Sequence, residues 1–472
     1  MTNPTELDCD VVIIGAGVTG LTVATDLQRS GHTAIVVEAR DRIGGRLRTE
    51  TIDGARLELG GQWVSPDQEA LLATLDELGL ATYPRYRAGE SVYVDAAGTA
   101  TRFTGELFPT GAETQREIER LIREIDALTA EVDPAAPWSH PRAAELDAQS
   151  LASWLEERSS DPEARANVAL YLAEAMLTKP AHSFSVLQAL LMAASAGGFE
   201  HLVDADFILD RRVVGGLQQV PLRLAETLGD RVHLRVVARR LEWSEDAVVL
   251  HADGLTVRAR RAVVAVPPNL YSRIEYAPAL PPVRQQMHQH LSLGLVIKVH
   301  AVYETPFWRA AGLSGTAFSP YQAVHEAYDN TGAHDDGTEE STGTLVGFVA
   351  AETADALLAL PAAERRARIL DSLAAYYGDE ARRPIVYFES DWVSEEWTGG
   401  AYAASFDLGG LSRWGAQLRS PVGPIRFASS DLAAEGYQHV DGGIRIGHDV
   451  AAELAGSLSP LLATSAAGAP TA

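Results

Sequence analysis

The fold is decided near the amino terminus by residues 9–20, which read CDVVIIGAGVTG. Residues 9–14 are rich in β-branched side chains and predict a strand, and residues 21–30 space their apolar side chains as a helix does. A second strand is predicted over residues 33–38. This order of strand, turn, helix and strand predicts the beginning of a parallel sheet with helices on its faces, and therefore an α/β fold.

The turn between the first strand and the helix matches the dinucleotide-binding pattern GxGxxG at Gly15, Gly17 and Gly20. Glycines at these positions allow a tight turn and let the backbone approach a pyrophosphate, which sits at the helix N-terminus. Glu38 ends the second strand, where an acidic side chain accepts hydrogen bonds from ribose hydroxyls. Because strand, helix and acidic residue agree, we interpret this stretch as a dinucleotide site rather than as an ordinary glycine turn.

The composition limits the possible partners. The 39 Lys and Arg residues and 64 Asp and Glu residues give a net charge of −25, which repels phosphate backbones and argues against nucleic acid as a partner. Such a surface attracts small cations, although the acidity could equally serve solubility alone. Cys9 is the one cysteine, so an intramolecular disulfide is impossible and a cysteine-based zinc or iron–sulfur centre is excluded. We expect no metal site.

The length of 472 residues predicts two domains. No apolar run is long enough to span a membrane, and the first apolar stretch follows acidic residues, unlike a secretory signal, so we expect a soluble, cytoplasmic protein with no membrane partner. Helical patterns between about residues 105 and 205 interrupt the strands. We predict a discontinuous dinucleotide-binding domain (1–83, 212–288 and 397–456), a substrate-binding domain (84–211 and 289–396) and a flexible tail (457–472).

The residues that follow the second strand narrow the choice of dinucleotide. Residues 38–46 read EARDRIGGR, which resembles the extended FAD signature of the flavin-containing amine oxidases. In that family a second glycine pair and an arginine meet the diphosphate from the other side, and Arg46 could supply two parallel hydrogen bonds to it. The resemblance covers about residues 7–456. It implies a Rossmann-type FAD-binding domain joined to a substrate-binding domain of mixed sheet and helices.

Further segments carry the same resemblance, among them GGQW at residues 60–63, WTGGAY at 397–402 and FASSD at 427–431. Ala401 stands where monoamine oxidases carry a flavin-linking cysteine, so the resemblance implies noncovalent FAD. The residues to which it assigns contacts with FAD are Gly15, Ala16, Gly17, Gly20, Glu38, Ala39, Arg40, Gly45, Arg46, Gly61, Gln62, Trp63, Val237, Trp397, Ser430, Asp431 and Val440.

Three positions resemble the family's catalytic residues. Lys298 lies among apolar neighbours in a predicted strand, where by resemblance it holds a water at flavin N5; the alternative is a lysine at a strand edge that reaches solvent. Tyr402 matches one ring of an aromatic cage that flanks the amine. For the opposite ring, an ungapped register from Phe427 favours His439 and leaves Tyr437 as the second choice. Either ring could instead pack in the core.

Within the family, the bacterial putrescine oxidases are most similar, through residues 61–68, 287–290, 328–331 and 435–441. By that resemblance Glu326 pairs with the far ammonium of a diamine; the alternative is an exposed surface acid. The implied reaction is oxidative deamination of putrescine with oxygen and water to 4-aminobutanal, ammonia and hydrogen peroxide, by hydride transfer to flavin N5. The resemblance also implies a homodimer. An oxidase of another polyamine or of a monoamine, and a flavin-containing scaffold without catalysis, are the alternatives.

Overall fold

The computed structural model describes residues 4–105 and 107–458. Most of the tail that the sequence predicts lies outside the described residues. The strands are Thr5–Ile14 (β1), Ala34–Glu38 (β2), Thr49–Ile52 (β3), Ala55–Glu58 (β4), Trp63–Val64 (β5), Thr82–Pro84 (β6), Glu90–Val94 (β7), Ala100–Phe103 (β8), Arg211–Val213 (β9), Val232–Leu234 (β10), Ala238–Trp243 (β11), Val248–Ala252 (β12), Leu255–Val264 (β13), Glu275–Ala277 (β14), Leu291–Gly294 (β15), Val296–Tyr303 (β16), Leu313–Phe318 (β17), Glu326–Asp329 (β18), Gly343–Ala350 (β19), Val386–Asp391 (β20), Ala401–Phe406 (β21) and Ile425–Phe427 (β22).

The α-helices are Val18–Arg29 (α1), Glu69–Glu77 (α2), Ala112–Thr129 (α3), Ala143–Ala148 (α4), Leu151–Arg158 (α5), Pro162–Ala169 (α6), Val186–Ser195 (α7), Phe199–Val203 (α8), Ala205–Ile208 (α9), Gln219–Leu228 (α10), Pro282–Gln289 (α11), Phe307–Ala310 (α12), Ala351–Leu358 (α13), Ala362–Tyr377 (α14), Gly410–Trp414 (α15) and Val440–Ser457 (α16). A π-helix at Leu170–Leu177 continues α6. Among the described residues, no helix is both long and apolar enough to cross a membrane.

The first large sheet contains the predicted dinucleotide turn. Its strand order is β10-β2-β1-β13-β12-β11-β14, with β22 also paired to β13. The pairs β10–β2, β2–β1, β1–β13 and β13–β22 are parallel, as the strand–helix–strand pattern predicts. The predicted first helix begins at Val18 rather than at residue 21, because the chain enters α1 directly from the glycine turn, with Gly17 as N-cap.

The second large sheet has the order β20-β16-β19-β18-β17-β7-β8. Its pairs are antiparallel except β17–β7, so the predicted mixed sheet is confirmed. Strands β16 and β19 are buried along their whole length, because the site cavity lies against one face and α14 and its neighbours cover the other. The strands of the first sheet come from three separated parts of the chain. The exact domain boundaries stay a prediction.

Candidate active site

One large cavity is lined by residues from both large sheets. Its empty volume is about 2210 Å³ when the open mouth is included, and its lining runs from Gly17 at the start of α1 to Phe318 and Glu326 of the second sheet. The cavity therefore joins the predicted dinucleotide turn to the second sheet. The predicted site residues that line it are Gly15, Gly17, Glu38, Ala39, Arg40, Gly45, Arg46, Gly61, Gln62, Trp63, Val237, Lys298, Glu326, Trp397, Tyr402, Ser430, His439 and Val440. Ala16, Gly20, Asp431 and Tyr437 lie behind this wall.

The glycine turn brings the start of α1 to the cavity. Gly15 has a φ of +111°, and a Cβ there would lie 2.6 Å from the carbonyl oxygen of Ala265 on the neighbouring strand segment. A Cβ on Gly20 would lie 2.1 Å from the carbonyl oxygen of Gly15, so Gly20 packs the helix against the turn rather than touching the cavity. Gly17 and Val18 do line it. The unpaired N–H groups of this helix end therefore favour an anion here.

Glu38 is buried at the end of β2, and its carboxylate is partly used by the backbone. It accepts the N–H of Ala16 at Oε2 and the N–H of Arg40 at Oε1, both at 2.9 Å. Ala16 does not line the cavity, but its N–H helps to orient the Glu38 carboxylate. A carboxylate accepts about four hydrogen bonds. Glu38 therefore keeps acceptor capacity for the predicted ribose hydroxyls.

Arg46 reaches the cavity with its guanidinium held from behind by Asp431. Its two terminal nitrogens donate to the two oxygens of Asp431 at 3.0 and 2.6 Å, and one also donates to the carbonyl oxygen of Tyr402 at 2.6 Å. Asp431 in turn accepts the N–H of Ala404 at 2.6 Å. Asp431 is thus placed to orient Arg46, whereas the sequence predicted that it contacts the cofactor itself.

Lys298 is buried in the middle of β16, so the alternative of a lysine that reaches solvent is excluded. Its Nζ donates to the carbonyl oxygens of Glu58 at 2.7 Å and Gly60 at 2.8 Å, and to Oε1 of Gln62. An ammonium has three donors, and here each has an acceptor. Burial is the main cause that lowers the pKa of Lys298 to about 7; the charge of Glu58 opposes this shift and the charge of Arg212 adds to it.

Lys298 and Glu326 belong to one row of residues across the second sheet. Phe348 of β19 pairs with Lys298 of β16 on one side and with Glu326 of β18 on the other, and Glu326 pairs in turn with Phe318 of β17. Residues in register across a sheet point to the same face. All four line the cavity. The floor of the cavity therefore has a lysine and a carboxylate separated by one aromatic side chain.

Glu326 is only 7% exposed, which excludes the alternative of an exposed surface acid. The hydroxyl of Tyr328 donates to its Oε2 at 2.8 Å, and Nε2 of His325 lies 3.6 Å from its Oε1. A carboxylate buried in a cavity with acceptor capacity to spare is suited to a cation that enters with the substrate.

Aromatic side chains surround the space between Lys298 and Glu326. The rings of Trp63 and Tyr328 meet edge to face at 5.6 Å, those of Trp63 and Phe348 are 5.8 Å apart, and those of Phe348 and Tyr402 are 6.3 Å apart. The sequence reasoning assigned no role to Phe348 or Tyr328. Tyr328 could have been found, because residues two apart in a strand share a face and Glu326 was already a candidate. Phe348 is identified only by strand register.

The structure separates the two candidates for the second cage ring. His439 lines the cavity, and it also lines a smaller cavity of about 840 Å³, mouth included, next to it. Burial lowers the pKa of His439, which keeps the ring neutral near pH 7. Tyr437 is buried behind the wall, where its hydroxyl donates to the carbonyl oxygen of Ala404 at 2.7 Å. Tyr437 thus packs in the core, which argues against the substrate contact predicted for it.

The wall fits the predicted flavin dinucleotide. Gly17 and Gly45 face each other closely, since a Cβ on Gly45 would lie 3.3 Å from Cα of Gly17, so bare backbone lines the turn. Nε1 of Trp63 and Oε1 of Gln438 are buried in the wall and have no hydrogen-bond partner among the described residues, as groups that await a polar ligand would. Cys9 lies on β1 outside the wall and is the chain's one thiol, so a cysteinyl bond to the flavin is impossible.

Known proteins are similar to this chain over nearly its whole length. The family model described as flavin containing amine oxidoreductase matches residues 18–455. A putrescine oxidase from Kocuria rosea is 57% identical over 465 residues, which cover 96% of each chain. A solved structure of wild-type putrescine oxidase bound to putrescine is 60% identical and superposes with a TM-score of 0.93, covering 95% of this chain and 99% of the other. Cyclohexylamine oxidase from Brevibacterium oxydans has a TM-score of 0.90 at 30% identity, covering 95% and 99%.

Proposed function

Because the chain belongs to the flavin containing amine oxidoreductases, we propose that it is an oxidase of a primary diamine, with putrescine as substrate. The chain is an enzyme, and its cofactor is FAD, bound without a covalent link. One observation supports a diamine above all: Glu326, a buried carboxylate on the cavity wall, stands in the same cross-strand row as Lys298.

Glu326 has the position and charge to hold the distal ammonium of the substrate. A hydrogen bond between an ammonium and a carboxylate is stronger than one between neutral groups, and burial keeps water from competing. Tyr328 keeps one oxygen of Glu326 in place and leaves the other side free of a hydrogen bond from a described residue. An amine with an apolar tail would leave this carboxylate unpaired, so the pocket should favour a second amino group over a methyl group.

The residues around the reacting end hold the amine and exclude water. Trp63, Phe348 and Tyr402 enclose the cavity between Glu326 and Lys298, and aromatic faces suit an amine nitrogen in either protonation state. With a pKa of about 7, Lys298 can hold or release a proton at Nζ near neutral pH. FAD, when bound there, would supply the two-electron oxidation of the amine to an imine, with oxygen as the final electron acceptor and hydrogen peroxide as its product. Water then converts the imine product to 4-aminobutanal and ammonia.

FAD would be held by groups that the first sheet presents at one edge. The start of α1 and Arg46 provide positive charge for the diphosphate, and Glu38 provides acceptors for the ribose. Gln62, Trp63 and Lys298 would stand at the flavin end. Val237, Trp397 and Val440 line the cavity wall, and we propose their contacts with the cofactor from this position.

The alternatives differ in the charge that the substrate carries. An amino-acid oxidase needs a cationic partner for the substrate carboxylate. The arginines of the wall have other partners: Arg40 pairs with Glu395, Arg273 pairs with Glu396, and Arg46 is assigned to the FAD diphosphate. A longer polyamine would satisfy Glu326 as putrescine does, and a monoamine would not.

Anaerobic reduction of the yellow holoenzyme tests the proposal. We expect putrescine to bleach the flavin absorbance rapidly, butylamine to do so far more slowly, and an amino acid to leave it unchanged. Spermidine in the same series tests whether the enzyme prefers a longer polyamine to putrescine. A flavin that stays oxidised with putrescine, or is bleached equally fast by butylamine, would contradict the assignment.

We also propose a homodimer, which rests on the resemblance alone, and a cytoplasmic location, which rests on the apolar and charge pattern of the sequence. Analytical ultracentrifugation of the holoenzyme tests the dimer. A single species with the mass of one chain would contradict it.

A further inference from the structure

A closed network of hydrogen bonds passes through Lys298. Its Nζ donates to the backbone oxygen of Glu58 at 2.7 Å, and the Glu58 carboxylate accepts two bonds from the guanidinium of Arg212 at 2.6 and 2.9 Å. Arg212 donates to the backbone oxygen of Asn330 at 2.7 Å, and the Asn330 side chain accepts the amide of Gln62 at 2.6 Å. Gln62 closes the circle by accepting from Lys298. We call these five residues the lysine network.

The lysine network joins distant parts of the chain in a buried place. Glu58 ends β4, Arg212 lies in β9, and Asn330 follows β18. All five residues are no more than 4% exposed. Lys298 and Gln62 line the cavity, whereas the other three lie behind its wall. The three residues behind the wall therefore hold in place the two residues that a substrate can contact.

A buried ion pair is weak evidence for stability, because the cost of removing two charges from water offsets most of their attraction. The side chains of Glu58 and Arg212 are 2% and 5% exposed, so almost the whole free-energy cost of removing both charges from water applies to this pair. A role beyond stability is therefore worth testing. Its position directly behind Lys298, which lines the cavity, indicates which role.

We propose that Glu58 and Arg212 are positioning residues for Lys298: the pair fixes the place of Nζ through the Glu58 backbone and sets how readily Lys298 holds its proton. This inference rests on the proposed function of Lys298 in the flavin reaction. The two members act with opposite sign. The Glu58 carboxylate favours the charged lysine, and the Arg212 guanidinium disfavours it.

The other ionisable groups on the elements packed against Lys298 do not replace this pair. His300, two residues along β16, is fully buried, and its pKa is lowered far enough by burial and by Lys298 to keep it neutral. On β20, Glu389 is paired with Arg365, and Asp391 is exposed and accepts backbone N–H groups. Glu326 lies two strands away, beyond Phe348.

The test uses the holoenzyme and two readouts across pH: the visible spectrum of the oxidised flavin, which needs no turnover, and the rate constants of anaerobic reduction and of reoxidation. Lys298→Met identifies the ionisation of interest as the one that it abolishes. We expect Arg212→Met to move that ionisation to higher pH and Glu58→Gln to move it to lower pH, each by about one pH unit or more. Arg212→Lys, which retains the charge, should move it less than Arg212→Met.

The double variant Glu58→Gln/Arg212→Met removes both charges and leaves no unpaired buried ion, so it is expected to fold even where a single variant does not. Its ionisation should lie closer to that of the parent than either single variant's does. Arg365→Met, which breaks the Arg365–Glu389 pair elsewhere in the sheet, should leave the ionisation in place.

Two results would overturn the inference about Glu58 and Arg212 while leaving the role of Lys298 intact. One is an ionisation that both single variants shift in the same direction, and the other is a double variant whose ionisation is shifted as far as that of Arg212→Met. An ionisation that persists in Lys298→Met would overturn the role of the lysine and this inference with it. None of these results touches the substrate assignment, which is decided separately by the bleaching with putrescine.

Discussion

Lys298 and Glu326 lie in register with the same residue, Phe348, on opposite sides of its strand. Neighbouring strands are about 4.8 Å apart, so the backbones of the two charged residues are separated by roughly 9.6 Å. The ladder of hydrogen bonds in β16, β19 and β18 sets this spacing, and strands hold a site more precisely than loops do. The spacing between Lys298 and Glu326, which we propose as the two ends of the substrate site, is thus set by the sheet.

The role of Glu326 predicts selective damage. Glu326→Ala removes a charged hydrogen bond worth about 1.5–3 kcal/mol, so we expect kcat/KM for putrescine to fall roughly 10- to 150-fold. For butylamine, which has no distal ammonium, the fall should be less than about threefold. Steady-state peroxide production with both amines measures the two effects. Glu326→Gln, which keeps the shape, serves as the control for lost packing, and equal losses on both substrates would remove the assigned role.

Burial of Lys298 predicts a pH-dependent change in stability. Its pKa is about 7 in the folded protein and about 10.4 in an unfolded chain, so between these values the unfolded state binds more protons and stability rises with pH. Below pH 7 the folded protein carries the buried charge, and the destabilisation is complete. We therefore expect the melting temperature of Lys298→Met minus that of the parent holoenzyme to be largest below pH 7. This difference should decrease as the pH rises towards 10. A difference that is constant across this range would show that Lys298 titrates normally.

The pair formed by Arg46 and Asp431 predicts a loss of cofactor affinity. Arg46→Lys keeps the charge but cannot donate to both oxygens of Asp431 and still face the cavity, so we expect FAD to bind at least about tenfold more weakly. Release of FAD on dilution, followed by flavin fluorescence, measures this. Arg48→Lys is the matched control, since Arg48 pairs with Glu50 outside the wall. Equal FAD retention by both variants would contradict the role of Arg46.

The places of His439 and Tyr437 predict different consequences for the two rings. His439→Ala opens the wall, and we expect a fall in kcat/KM for putrescine of about tenfold or more. Tyr437→Phe loses one buried hydrogen bond to Ala404, which costs about 1 kcal/mol of stability and should lower the melting temperature while kcat/KM changes less than about twofold. Kinetics and thermal unfolding of both variants provide the comparison. If Tyr437→Phe had the larger kinetic effect, the second cage ring would be misassigned.

The glycine turn, α1 and Glu38 could be predicted from the sequence because their geometry is local. Fewer than forty residues contain the strand, the turn, the helix and the acid, and each follows from side-chain periodicity or from the spacing of glycines. The same reasoning placed Lys298 in a strand. It favoured His439 over Tyr437 only through the register of the resemblance, since the two residues lie just before α16, where no period of side chains applies.

The partners of Lys298 were decided by tertiary structure. Phe348, Glu326, Glu58 and Arg212 are brought to it by strands from distant parts of the chain, and no local pattern connects them. A shift of one residue in the pairing of β16, β19 and β18 would turn the row to the opposite face of the sheet. That register depends on burying both faces of the sheet at once, which is a property of the whole packed molecule and not of any segment.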